Sequence, residues 1–335
     1  MSRLFLPADS ERLASALRGF ARAHRHEVRL NDDPVYVTAL HRAPERAVAL
    51  VSGGGSGHEP LHAGFLGRGL LDAAVPGHVF ASPHNRQVYE ASRAVARSGG
   101  VLHIVKNYTG DRINFGIAAE RLRADGIRVE RVLVQDDVAT ESDRTATGRR
   151  GTAATVVIEK ILGAAADRGD TIDELTRLGR AVGDRARSIA VASESLTSVH
   201  TGERVFELAD GELEYGVGIH GERAAESVRF DGLAALVTRM LDDILRSLGD
   251  PPGEVILLVN GLGSASPLEL YAVLDEAAEQ LGARGVAIAD AVADTLVSAL
   301  DMHGFSITIV DVAEPQWLDL WHADAAAPGW RGRTR

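Results

Sequence analysis

The sequence contains no cysteine. That excludes a disulfide scaffold, a cysteine nucleophile, thiolate zinc sites and iron–sulfur clusters, and it suits a reducing compartment. Lysine is almost missing as well. Of 36 basic residues only Lys106 and Lys160 are lysines, and arginine supplies the other 34. In so arginine-biased a chain, a lysine that persists points to a role a planar guanidinium cannot fill. Positive charge is not in excess: the formal net charge is −11. Nucleic-acid binding, which needs a basic face, is therefore not expected. No uncharged apolar run approaches the roughly 20 residues of a membrane span. The first twelve residues carry Arg3, Asp9, Glu11 and Arg12 and lack the apolar centre of a signal peptide. The expectation is a cytoplasmic protein with no membrane partner.

What is present describes a folded chain. Its 335 residues, 45% hydrophobic and 25% charged, suit about two domains of ordinary size. No repeat or low-complexity segment interrupts them. In the first half, β-rich runs at Ala47–Ser52, Val101–Lys106 and Val129–Gln135 alternate with helical patterns at Gln87–Arg97, Phe115–Ala124, Gly151–Asp167 and Ile172–Ala186. Such alternation implies crossover units and a mostly parallel sheet. The second half is less regular. Strands are expected at Ser188–Ser193, Glu254–Asn260 and Phe305–Val312, helices at Leu233–Leu248 and Pro267–Leu281, and short β pieces around Asp210–Gly211. The predicted class is α/β, with two domains, 1–187 and 188–335, each of mixed or parallel sheet flanked by helices. The tail after Pro328 is expected to be loose.

Five segments could carry chemistry. Ser52–Pro60 (SGGGSGHEP) places glycines after a strand, where backbone N–H groups can approach a ligand closely, or where a turn is simply tight. It lacks the Gly-Lys-Ser/Thr ending of a P-loop and the spacing of a dinucleotide fingerprint. Lys106–Asp111 (KNYTGD) follows a strand, at the end where open α/β sheets hold ligands; the plainer alternative is a polar loop with a surface ion pair. His220, between glycines in Gly216–Gly221, is either a hydrogen-bonded structural histidine or a base or nucleophile. No set of metal ligands is evident around it. Asp136–Asp137 suits a capping role better than magnesium. Arg149 and Arg150, before the next helix, either meet an anion or stay solvated.

In this order, the pieces resemble the substrate-binding K subunit of dihydroxyacetone kinases. The likeness rests on Asp33–Thr38, Leu50–Pro60, Ala63–Gly69, Phe80–Pro83, Ile104–Phe115, Asp136–Ala139, Gly148–Gly151, Glu159–Ala165, Tyr215–Glu222, Leu268–Tyr271 and Ser298–Thr308, nearly the whole chain. The resemblance implies that fold, and a covalent mechanism. His220 would bond to the carbonyl carbon of a short ketose as a hemiaminal. His58 and Asp111 would hold its hydroxyls and act as acid and base. Gly55, Ser56, Gly57 and Lys106 would complete the pocket. The resemblance also implies no cofactor and no metal on this chain. ATP, or ADP rephosphorylated by a phosphotransferase-system donor subunit, would sit with magnesium on a separate L subunit. A homodimer is implied too, inactive without its partner. Departures fall at Leu196–Val199 (LTSV), Asn260–Ser266 (NGLGSAS), His78 and His84–Arg86. They leave two alternatives: a four-carbon ketose such as erythrulose, or a ketose-sensing transcriptional coregulator.

Overall fold

The structure, a computed structural model, describes residues 4–7, 11–141, 148–223 and 226–330. The chain forms two compact units. One comprises Leu6–Val134, Thr155–Ala181 and Gln316–Arg335; the other comprises Met1–Phe5, Gln135–Ala154 and Val182–Pro315. The boundary expected from the sequence is 187/188; in the structure the chain passes between units at 5/6, 134/135, 154/155, 181/182 and 315/316.

The first unit opens with helix α1 (Arg12–Ala23) and the strands β1 (Val28–Asp32), β2 (Val35–Ala39), β3 (Ala49–Ser56) and β4 (Ala73–Val79). There follow α2 (Asn85–Val95), β5 (Val101–Lys106), α3 (Thr109–Ala124), β6 (Val129–Val134), α4 (Ala154–Arg168) and α5 (Ile172–Asp184). The six strands pair in the order β1-β2-β4-β3-β5-β6. Strands β4, β3, β5 and β6 run parallel, and the β1–β2 hairpin joins them antiparallel through β2. Every residue of β3 and β5 is buried, as the centre of a parallel sheet requires. Val51, Val75 and Val105 of the sheet pack with Val88 of α2 and with Phe115 and Leu122 of α3.

The second unit holds β7 (Ala186–Glu194), β8 (Glu212–Tyr215), β9 (Glu226–Arg229), α6 (Leu233–Leu248), β10 (Glu254–Gly261), α7 (Pro267–Ala283), β11 (Ala287–Asp294) and β12 (His303–Asp311). Its strand order is β11-β10-β12-β7-β8-β9. Only β10 and β11 run parallel; the other neighbours are antiparallel. Leu257, Val259, Ile307 and Ile309 meet Leu241 and Ile244 of α6 and Val273 of α7. Helix α7 starts where the sequence marks it: Ser266 and Glu269 form a capping box and Pro267 takes the first turn. Helix α8 (Gln316–His322) then belongs to the first unit.

Three expectations need correction. The glycines after Ser52 do not form a turn; they are the second half of β3. Helix α3 begins at Thr109, six residues before the pattern suggests, so Asp111 lies in its first turn and not in a loop. The chain after Pro328 is not loose at its start. Gly329 N–H donates to the Gly64 carbonyl at 2.7 Å, and Trp330 is buried edge-on to Phe65 and Trp321; residues 331–335 lie outside the described residues. No helix among the described residues is long and apolar enough to cross a membrane.

Candidate functional site

Two clusters of side chains, one in each unit, contain the residues singled out above. In the first unit the central strands β3 and β5 lie side by side; Lys106 is the last residue of β5, and His58 and Asp111 follow the C-terminal ends of β3 and β5. The glycines of β3 have identifiable reasons. A Cβ on Gly53 would lie 2.5 Å from the Val75 carbonyl oxygen, and one on Gly55 would lie 2.7 Å from Phe80 Cα and Ala81 N. Backbone of β4 and of the segment after it therefore occupies the space that side chains would need. A Cβ on Gly54 would lie 2.4 Å from Lys106 Nζ, so that glycine makes room for a lysine head group. Ser56 donates its hydroxyl to the Gly77 carbonyl at 2.8 Å. Gly57 takes a positive φ of 101° and donates its N–H to Glu59 Oε2 at 2.9 Å. That bend turns the chain out of the strand and into His58.

His58 is fully buried, its ring 5.2 Å from that of Phe80. Lys106 and Asp111 are buried too. Burial lowers the Lys106 ammonium below the ordinary lysine range, while the charges of Asp111 and Glu159 oppose that shift. Asp111 is the acidic residue in the first turn of α3, where the positive end of the helix dipole favours a carboxylate. Both chain lysines are thus buried, but they differ in use. Lys160 of α4 donates to the Leu320 carbonyl of α8 at 2.7 Å and ties two helices together. His84, one of the departures, is the N-cap of α2: its Nδ1 accepts from Arg86 N–H, and Gln87 completes a capping box.

In the second unit His220 lies between β8 and β9. Its Nδ1 is 2.9 Å from Glu222 Oε1, and its backbone N–H donates to Glu222 Oε2 at 3.0 Å. A carboxylate only accepts, so Nδ1 carries a proton, and in the neutral form of the ring the lone pair is on Nε2. Burial pushes the Glu222 carboxyl up. The hydrogen bond and charge of His220 and the charge of Arg150 outweigh this and hold it at about 2. Arg150 stands 3.9 Å from Glu222 Oε2. It is held by Asp137 Oδ2 at 2.7 Å through Nε and by the Gly216 carbonyl at 2.9 Å. A Cβ on Gly218 would lie 2.0 Å from Glu222 Oε2 and 2.4 Å from Arg150 Nη1, so this glycine lets carboxylate and guanidinium approach.

These contacts decide several open alternatives. Arg150 is not solvated; it faces Glu222. Arg149 donates to the Gln135 carbonyl at 2.8 Å and pairs with Glu141 at 2.5 Å. Asp136 accepts from Thr152 N–H at 2.7 Å, from the Thr152 hydroxyl at 2.7 Å and from Ala154 N–H at 3.1 Å, a cap at the start of α4. Among the described residues no group of three or more histidines and carboxylates is placed to hold a metal ion. Glu222 is the hydrogen-bond partner of His220 that residue-by-residue reading overlooked, although it sits two positions away in the same motif.

Comparison with known proteins follows the geometry. Residues 18–329 match the Dak1 domain. The chain is 40% identical, over 94% of its length and 95% of the relative's, to the dihydroxyacetone-binding subunit DhaK of the PEP-dependent dihydroxyacetone kinase of Escherichia coli (strain K12). Among solved structures it superposes on the dihydroxyacetone kinase of C. freundii with a TM-score of 0.89 at 34% identity, covering 99% of this chain and 61% of that one. It superposes equally well, with a TM-score of 0.90 at 30% identity, on a dihydroxyacetone kinase operon co-activator, covering 96% of this chain and 98% of that one.

Proposed function

The chain belongs to the Dak1 domain family, and on that footing we propose that it is the dihydroxyacetone-binding subunit of a dihydroxyacetone kinase that tethers its substrate through His220. The observation that carries the proposal is the hydrogen bond from His220 Nδ1 to Glu222. It presents Nε2 as a neutral nitrogen nucleophile. Attack by the Nε2 lone pair on the ketose carbonyl forms a C–N bond, and the carbonyl π pair moves to oxygen, which takes up a proton. The ring then bears a positive charge, and the ionised Glu222 faces it. Addition to a carbonyl selects ketoses over polyols such as glycerol, because an alcohol carbon offers no acceptor for the nitrogen.

In this reading His58 and Asp111 hold the ketose hydroxyls, and His58 removes the proton of the one to be phosphorylated. Lys106 and the Gly55–Ser56–Gly57 backbone position it. Phosphoryl transfer asks little covalent chemistry of the acceptor side and much positioning. The nucleotide and its magnesium belong to an L subunit, charged with ATP or recharged by a phosphotransferase-system donor, and the K chain works as a homodimer. A second reading, a ketose-sensing coregulator, draws support from the close superposition on the operon co-activator. The presence of His58, Lys106, Asp111 and His220 together favours the kinase.

Reconstitution tests the choice. With an L subunit and MgATP the chain should phosphorylate dihydroxyacetone, and without that subunit it should turn nothing over. Parallel assays with erythrulose decide between three- and four-carbon substrates. Ketose binding with no turnover alongside any competent L subunit would count for the coregulator.

A further inference from the structure

Behind Lys106 lies a buried line of polar groups that the function above does not use. Lys106 Nζ is 2.9 Å from His62 Nε2. On the other side of the ring, His62 Nδ1 is 2.6 Å from Glu159 Oε1 of α4 and 3.0 Å from Ser52 Oγ of β3. The Ser52 hydroxyl donates to the Ile104 carbonyl at 2.8 Å, so toward His62 its oxygen accepts. Ser52, His62, Lys106 and Glu159 are all buried. Groups of this cost are not placed in an interior by packing alone.

We propose that His62 and Glu159 are positioning residues that hold Lys106 against Gly54 and share a proton with it, a relay that rests on the reading of Lys106 as a substrate-pocket group. Two proton arrangements satisfy the line. In one, the ammonium donates to Nε2 and Nδ1–H donates to the Glu159 carboxylate. In the other, Lys106 has passed a proton to Nε2 and Nδ1 has passed one to Glu159, which leaves a neutral amine, a neutral ring and a neutral acid. Two protons move, no net charge is created, and no water is needed. Burial brings the two arrangements closer in energy than they would be in water: it raises Glu159 to about 8 and lowers Lys106. The ring stays neutral in both, since burial and the charges of Lys106 and His58 hold His62 well below the ordinary histidine range. Asp111 from α3 and Glu159 from α4 favour the ammonium, and His58 is the further titratable group beside His62. The consequence is chemical. Glu159 balances the charge of Lys106 from one imidazole away, so the ammonium keeps donors for a substrate oxygen that a direct carboxylate partner would occupy.

The two-lysine composition makes this testable. In protein labelled with 13C and 15N at lysine, the side-chain spectrum holds two lysine signals, and Lys160 is the internal control. Glu159→Gln should lower the midpoint of the Lys106 titration by about one pH unit or more, leaving Lys160 in place. His62→Gln should also uncouple Lys106. If either variant fails to fold, Ser52→Ala, which removes the hydroxyl beside the His62–Glu159 pair and with it an influence that holds Glu159 down, should shift Lys106 the same way by less. An unchanged Lys106 midpoint in folded Glu159→Gln would overturn the relay. Addition of dihydroxyacetone to wild-type protein separates the relay from the reading beneath it. A Glu159-dependent midpoint with a Lys106 signal that ignores the ketose supports the relay and counts against Lys106 as a substrate group.

Discussion

Replacing Arg46 with alanine should destabilise the first unit by about 3–5 kcal/mol, the cost of breaking a buried charge network from one side. Arg46 is 1% exposed. Its Nε donates to Asp167 at 2.5 Å, and one Nη donates to Asp72 and to the Leu70 carbonyl, both at 2.8 Å. The other donates to the Gly163 carbonyl at 2.8 Å. Asp72 is fully buried and also accepts from Leu50 N–H at 2.8 Å, with Arg42 3.4 Å away. Removing the guanidinium therefore strips the main counter-charge from one buried carboxylate and from the partly buried Asp167, and leaves two carbonyls short of a donor. Arg46→Lys should recover only part of the loss, because a point-charge ammonium cannot reach four acceptors spread around a planar fork. The three tryptophans, Trp317, Trp321 and Trp330, all belong to this unit. Urea unfolding followed by tryptophan fluorescence thus reports it alone, without assuming that both units unfold together. A midpoint unchanged in Arg46→Ala would show that the network contributes little.

The second large effect concerns Glu222. Glu222→Gln keeps an oxygen that can accept from His220 Nδ1 but removes the negative charge facing the ring. On the mechanism above, the imidazolium formed by carbonyl addition would then lie near Arg150 with no counter-ion at hydrogen-bond distance. Adduct formation should slow by roughly a hundredfold, the low end of what a positioned acid–base partner contributes. The pH dependence has a definite sign. The Glu222 carboxyl is held below its ordinary value, at about 2, so its support is complete above the unfolded carboxyl range and fades only as pH falls through about 2. In wild-type protein Glu222 should therefore impose no titration on adduct formation between pH 5 and 8. Rates in Glu222→Gln within twofold of wild type would remove Glu222 from the mechanism.

How much of this was legible in the sequence differs from element to element. Strand β5 is Val101–Lys106, the expected run, because an apolar six-residue segment at the sheet centre has no other reading. Strand β4 escaped because its seven residues include Pro76 and Gly77, which argue against a strand. Strand β11, an edge strand of alanines and aspartates, carries little apolar pattern, and most of it is only half-buried. The glycines of β3 misled for the opposite reason. Gly-Gly-Gly signals a turn, yet here tertiary neighbours demand small residues inside a strand. In the site, His58, Lys106, Asp111 and His220 stand in recognisable motifs. Glu222 shares the motif of His220, but the pairing behind Lys106 leaves no such mark. His62 and Glu159 are 97 positions apart, and nothing local in either segment signals that α4 brings them together. Arg150 looked like a solvated or anion-binding residue because its partners, Asp137, Gly216 and Glu222, are supplied by two other segments of the second unit.

The central claim is the covalent tether on His220, and intact-protein mass spectrometry tests it most directly. Wild-type protein incubated with dihydroxyacetone and ionised gently should gain the full mass of one ketose. A hemiaminal forms by addition without loss of water, whereas an imine on Lys106 would appear one water lighter. The same incubation with His220→Ala should leave the mass of that variant unchanged. A full-mass adduct that persists in His220→Ala, or an adduct lacking one water in wild type, would contradict the account.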